Sequence, residues 1–219
     1  MLLEVRNLSK SYGGIVALND VSFSLEADTV TGLIGENGAG KSTLIKCIAG
    51  AEIPDSGEII LNGTKLVSGN PYAMRQNGIE TVYQNFNLCP QLDAVQNIYL
   101  GREERIPFTP FLAKKNMHLK ATGLLQQINA SVPPDKPVGR LSGGQQQAVA
   151  IVRAMLFAPK LLILDEPTAA LDNKSAENLL GMVNTLKQSG IAVLLISHRE
   201  SDLVATAARV VTLEQGQVL

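Results

Sequence analysis

Cysteine is scarce in this chain of 219 residues: Cys47 and Cys89 are the only two, in unrelated segments without metal-ligand spacing. That argues against a disulfide framework or a thiolate metal site, and both thiols are expected to act as small hydrophobes in a reducing compartment. Long apolar runs are also missing. The longest, such as Ile191 to Ile196, fall far short of the ~20 residues needed to cross a bilayer as a helix. Glu4 and Arg6 stand where a signal peptide would be apolar, so a cytosolic chain is expected. Charge of one sign does not dominate either. A formal net charge of -1 gives no electrostatic case for a nucleic-acid partner. No internal repeat or low-complexity segment is evident.

What remains is a chain that is 45% hydrophobic, with room for one core domain carrying a subdomain and none for two full enzymes. Val21, Phe23 and Leu25 alternate with polar residues, and Glu58 to Leu61 runs into the hairpin signal Asn62-Gly63, so the first third reads as β-rich. Between about 85 and 159 the pattern turns helical, with Met117, Ala121, Leu124, Leu125 and Ile128 on one face. The proline-rich stretch Ser131 to Pro137 must be a loop. Leu161 to Leu164, Ala192 to Ile196 and Val210 to Leu213 then read as strands, separated by helices around 174–188 and 200–207. The expected division is one domain over 1–219, with 1–84 and 160–219 as the core and 85–159 as a helical insertion.

Thr29 to Ile34 reads as a buried strand entering Gly35-Glu36-Asn37-Gly38-Ala39-Gly40-Lys41-Ser42-Thr43, followed by a helical pattern at Leu44, Ile45, Ile48 and Ala49. Gly35 to Ser42 fits the phosphate-binding pattern G-x-x-x-x-G-K-[ST], in which glycines let backbone N–H groups wrap phosphates unobstructed. A helix N-terminus contributes only ~0.3–1 kcal/mol per exposed charge, so Lys41 and a magnesium ion must supply the rest. Ser42 is placed to offer its hydroxyl to that ion, and Thr43 to cap a phosphate oxygen. Farther on, Leu161-Leu162-Ile163-Leu164-Asp165-Glu166 sets two carboxylates at the end of a buried strand, where they are costly unless they meet a cation or strong donors. Asp165 suits the magnesium, and Glu166 suits the attacking water, as general base.

Leu141-Ser142-Gly143-Gly144-Gln145 offers a hydroxyl and unobstructed backbone N–H groups at a helix start, which makes an anion receptor. With these three motifs in this order, the chain resembles the ATP-binding subunit of ABC transporters over essentially its whole length. The resemblance implies an α/β fold: a P-loop NTPase core with an antiparallel β subdomain and an inserted α-helical subdomain. It also implies that two such domains stack head to tail, so that Ser142, Gly143, Gly144 and Gln145 touch ATP held by the partner's loop. Tyr12 resembles the aromatic that stacks on adenine, with Val16 beside it, although an ordinary packed tyrosine fits the residue as well. Gln84 resembles the glutamine that reaches magnesium or the lytic water, and His198 the switch histidine that holds the γ-phosphate. Asp172 resembles the loop residue that crosses between protomers; an aspartate there also suits a helix cap, and the roles can coexist. His118 has no such context and reads as a surface residue.

The function so implied is ATP hydrolysis driving a membrane transporter, with a separate permease docking near Gln84, Asn85, Phe86, Asn87 and Leu88. Asn97 to Glu103, Glu166 to Leu171 and Ile196 to Arg199 resemble importers for monosaccharides such as ribose or galactose, and their nucleoside relatives. A solute-binding protein would then be a further partner, and the chain would sit on the inner face of the membrane. The second ATPase domain could be an identical chain, a different subunit, or the other half of a longer fused chain. The competing class, an ABC-type ATPase acting on DNA or ribosomes, calls for long coiled coils or a basic linker that a near-neutral chain of this length does not hold. A stand-alone nucleotide-binding regulator would instead bind ATP tightly without concentration-dependent hydrolysis.

Overall fold

The computed structural model describes residues 1–219. The chain opens with β1 (Leu3–Tyr12) and β2 (Ile15–Leu25), paired antiparallel across the Gly13-Gly14 turn. Then β3 (Val30–Ile34) leads through the glycine loop into α1 (Lys41–Ile48), whose buried Leu44, Ile45 and Ile48 fulfil the helical pattern of the sequence. A second hairpin follows, β4 (Ser56–Leu61) and β5 (Thr64–Lys65). Its Asn62 and Gly63 both have positive φ, 48° and 75°, the requirement of a two-residue turn that matches strand twist.

A short helix, α2 (Pro71–Gln76), is capped by the Asn70 side chain accepting from the Ala73 N–H, and precedes β6 (Ile79–Val82). The middle of the chain is helical: α3 (Ala94–Tyr99), α4 (Lys114–Gln127), a single 3₁₀ turn over Val138–Arg140, and α5 (Gly143–Met155). The last part alternates β7 (Leu161–Asp165), α6 (Asn173–Gln188), β8 (Ala192–Ile196), α7 (Glu200–Thr206), β9 (Arg209–Glu214) and β10 (Gln217–Val218).

Two sheets result. One is antiparallel, in the order β2-β1-β4-β5; the other runs β10-β9-β3-β8-β7-β6 and is parallel except for β10. Because successive strand residues face opposite sides, β7 and β8 feed two separate cores. Leu161, Ile163, Leu194 and Ile196 pack with Leu3, Val5 and Leu8 of β1 and with the inner face of α1. Leu162, Leu164, Val193 and Leu195 pack with Ile98, Leu125, Ile151 and Val183 of the helices. The central sheet is thus covered by the antiparallel sheet and α1 on one side, and by the helical layer on the other. Both cysteines are free, and burial pushes the Cys47 thiol up to about 11.

Candidate active site

Two of the expected motifs leave parallel strands at the same end of the sheet. The loop after β3 runs from Gly35 to Gly40, and Gly40 adopts φ 103° immediately before α1. A side chain at Gly40 would also collide with the Ala17 carbonyl, so only glycine lets the loop close against β2. Tyr12 and Val16 are both exposed at the β1–β2 end, and Val16 immediately precedes the Ala17 that Gly40 meets. Ala39 closes the loop, its N–H donating to Glu36 O and its carbonyl accepting from Gly216 N. Lys41 is buried to 8% exposure, its Nζ donating to Gly35 O at 2.6 Å and Glu36 O at 2.9 Å. An ammonium held over the loop by the loop's own carbonyls is poised to exchange those partners for phosphate oxygens.

A cavity of about 490 Å³ brings together Asn37, Gly38, Gly40, Lys41, Ser42 and Thr43 with Gln84, Asp165 and Glu166. Burial, and then the neighbouring Glu166 charge, hold the Asp165 carboxyl above the usual carboxylate range, opposed by Lys41. A half-buried acid pair with one lysine in the same cavity favours a second positive charge. The oxygen donors here are a hydroxyl (Ser42), an amide (Gln84) and a carboxylate (Asp165), a hard set that suits Mg²⁺ completed by phosphate oxygens.

A second, wider cleft of about 900 Å³ adjoins the first through Asn37 and Glu166, and adds Gly35, Glu36 and His198. Glu166 has φ 47°, and its N–H donates to Ile196 O, which tilts the residue toward the end of β8. There His198 Nδ1 lies 3.3 Å from Glu166 Oε2. Beneath that pair is an interaction the sequence does not reveal: Asp202 of α7 is 3% exposed and accepts from Thr168 Oγ1 and from Ser197 Oγ, with Arg199 Nε at 3.7 Å. Thr168 follows Glu166 by two residues and Ser197 precedes His198, so one buried carboxylate ties together the loops that carry Glu166 and His198.

Ser142, Gly144 and Gln145 line a different cavity, of about 360 Å³, which contains no residue of the phosphate loop. Ser142 caps α5: its Oγ accepts from Gln145 N at 3.3 Å, while Gln145 Oε1 accepts from Ser142 N at 3.1 Å. The Gln145 amide also donates to Ser131 O at 2.9 Å, so both ends of that side chain are engaged within its own chain. Gly143 sits against Leu171, and Asp172 caps α6 by accepting from Ser175 N and Ser175 Oγ. These Ser175 hydrogen bonds hold the Asp172 carboxyl below its ordinary range.

A strand, a glycine loop, a lysine-bearing helix and a paired carboxylate at a neighbouring strand end define a P-loop nucleoside-triphosphatase. A family model described as "ABC transporter" matches residues 18–169. The chain belongs to the ABC transporter family, as its ATP-hydrolysing cassette. It is 41% identical to the xylose/arabinose import ATP-binding protein XylG of Sulfolobus acidocaldarius, covering 100% of this chain and 86% of that one. It is 38% identical to the ribose import ATP-binding protein RbsA of Geobacillus kaustophilus, where it spans 100% of its own length and 44% of the relative's. Among solved structures, the ADP conformation of an ABC transporter cassette is 29% identical with a TM-score of 0.88, over 100% of this chain and 89% of that one. A dimeric cassette bound to ADP and Pi is 29% identical with a TM-score of 0.82, over 99% and 96% of the two chains.

Proposed function

We propose that this chain is the ATPase subunit of a monosaccharide importer, hydrolysing ATP only when two such domains face each other. The observation that carries the reading is a separation: Lys41, Ser42, Gln84, Asp165 and Glu166 share one cavity, while Ser142 and Gly144 line another. Each chain holds two unlike parts of an ATP site, and a head-to-tail pair joins them. The relatives whose names include xylose, arabinose and ribose support a pentose or similar sugar as the cargo.

In this reading Tyr12 and Val16 receive the adenine, and the N–H groups from Glu36 to Thr43 with Lys41 bind the phosphates. Ser42, Gln84 and Asp165 would hold Mg²⁺, which when bound would supply positive charge to the phosphate oxygens. Glu166 accepts the proton of the attacking water. His198, 3.3 Å from Glu166, orients that carboxylate and reaches the γ-phosphate side of the cleft. Ser142, Gly143 and Gly144 of the partner domain close the site by donating to the γ-phosphate, with Asp172 at the crossing and Gln145 bracing the α5 terminus. The permease contacts residues Gln84 to Leu88, on the cytoplasmic face of the membrane, and a solute-binding protein delivers the sugar. Residues 85–159 move as the helical subdomain.

The test is the ATPase rate per chain as a function of chain concentration, combined with recovery of the membrane chain that copurifies and of the sugar it transports. A rate per chain independent of concentration, down to dilutions where the protein is monomeric, would overturn the shared site.

A further inference from the structure

Three arginines from distant parts of the chain converge at the β6 edge of the parallel sheet. Arg75, Arg102 and Arg153 line a cavity of about 200 Å³ together with Glu80 and Thr81. Arg75 and Arg102 both lie over the ring of Phe157, at 4.6 Å and 3.0 Å from its centre to their guanidinium carbons. Glu80 is the one acid lining the cavity, with Oε1 2.6 Å from Arg75 Nε and a side chain only 5% exposed. One carboxylate among three guanidiniums leaves an excess of positive charge in a partly desolvated space, which is costly without a further anion.

The donors are not equally engaged. Arg153 is occupied, its guanidinium donating to Phe86 O at 2.7 Å and Asn87 O at 2.8 Å. Arg102 makes only one long bond, from Nη1 to Arg153 O at 3.5 Å, so most of its planar donor set is free. Burial and the neighbouring Arg75 charge lower its guanidinium to about 10. The Thr81 hydroxyl, buried in the same wall, has no hydrogen-bond partner.

We propose that this cavity is a receptor for a carboxylate side chain, Asp or Glu, on the segment of the membrane partner that docks beside Phe86 and Asn87. The inference rests on the proposed function for its choice of partner; the charge, size and free donors of the cavity stand independently. The cavity volume suits one carboxylate and its methylenes, and an arginine fork reads a carboxylate bidentately. Arg153 links this receptor to both ends of the machine. It grips the backbone of Phe86 and Asn87, and it belongs to α5, whose first turn presents Ser142 and Gly144.

The test is titration of the whole chain, observed through the ¹⁵N side-chain signals of its arginines. The probes are a capped alanine peptide with one central glutamate, the same peptide with glutamine, and acetate. The glutamate peptide is expected to shift the Arg102 and Arg75 signals saturably, at least tenfold more tightly than acetate, while the glutamine peptide leaves them in place. Arg102→Gln and, separately, Arg75→Gln should weaken that binding at least tenfold without changing the basal ATPase rate. Equal response to both peptides, or none, overturns the proposal; acetate binding as tightly as the peptide makes the cavity a small-anion site and overturns the docking role. The titration requires no hydrolysis. A failed concentration dependence of ATPase activity would therefore remove the proposed function while leaving this result readable.

Discussion

His198 Nδ1 faces Glu166 Oε2 across 3.3 Å, so the ends of β8 and β7 meet through one side-chain pair. General-base assistance by a positioned carboxylate is worth ~10²–10⁴ in rate. Glu166→Gln should keep ATP affinity and lose that factor in turnover. The variant should also accumulate as a nucleotide-bound dimer, visible by size-exclusion chromatography in ATP; a fast-hydrolysing variant would require another base.

Lys41 carries two short bonds to the loop carbonyls and the only ammonium in the cavity lined by Asp165 and Glu166. Hydrogen bonds to charged groups contribute ~1.5–3 kcal/mol each. Lys41→Ala should therefore weaken ATP binding by more than about tenfold, measured with a fluorescent nucleotide. Unchanged affinity would remove Lys41 from its assigned role.

Ser142→Arg separates the two cavities experimentally. ATP affinity of the isolated chain should hold, because the phosphate loop is elsewhere, whereas hydrolysis should stop. Loss of the α5 cap costs about 1 kcal/mol, a small fall in Tm that thermal melting would register without accounting for lost turnover.

For Asp165 the pH dependence runs opposite to that of a salt-bridged acid. Its folded-state pKa is raised, so its contribution to stability is complete below the ordinary carboxylate pKa and is lost as pH rises through the raised value. At neutral pH the nucleotide-free protein carries this penalty. Asp165→Asn should accordingly raise Tm at pH 7, lose that advantage toward pH 4, and abolish Mg²⁺-dependent hydrolysis; a lower Tm at pH 7 would contradict the electrostatic account.

Asp202→Ala leaves the buried Thr168 hydroxyl without its partner and the Ser197 hydroxyl with only the Arg199 N–H from which it accepts, at ~1–3 kcal/mol per unsatisfied group. Tm should fall by several degrees. The kcat should also fall with KM nearly unchanged, and Asp202→Glu should recover part of it. A Tm loss with full kcat would make Asp202 purely structural.

The phosphate loop and the β7 carboxylates were legible because each is a contiguous pattern whose chemistry depends on adjacent residues. The apolar runs likewise revealed β7, β8 and β9 to within a residue or two. The ten-residue β1 was not singled out, since its side chains do not alternate cleanly and its pairing shifts register at three places. The six-residue α2 is too short to show a period. Asp202 with Thr168, and Arg102 with Arg75 and Arg153, were invisible for another reason. Their partners lie tens of residues apart, and only the folded chain brings them together.

The alternation along β7 has a consequence for which changes the chain can accept. Leu161 and Ile163 face one core, Leu162 and Leu164 the other, and Asp165 emerges where the strand ends. Substituting one leucine for another aliphatic residue is a local repacking problem. Deleting one residue is different in kind: it exchanges the two faces downstream of the gap and displaces Asp165 and Glu166 by one position. This strand therefore behaves like a reading frame, tolerant of changed letters and intolerant of changed length.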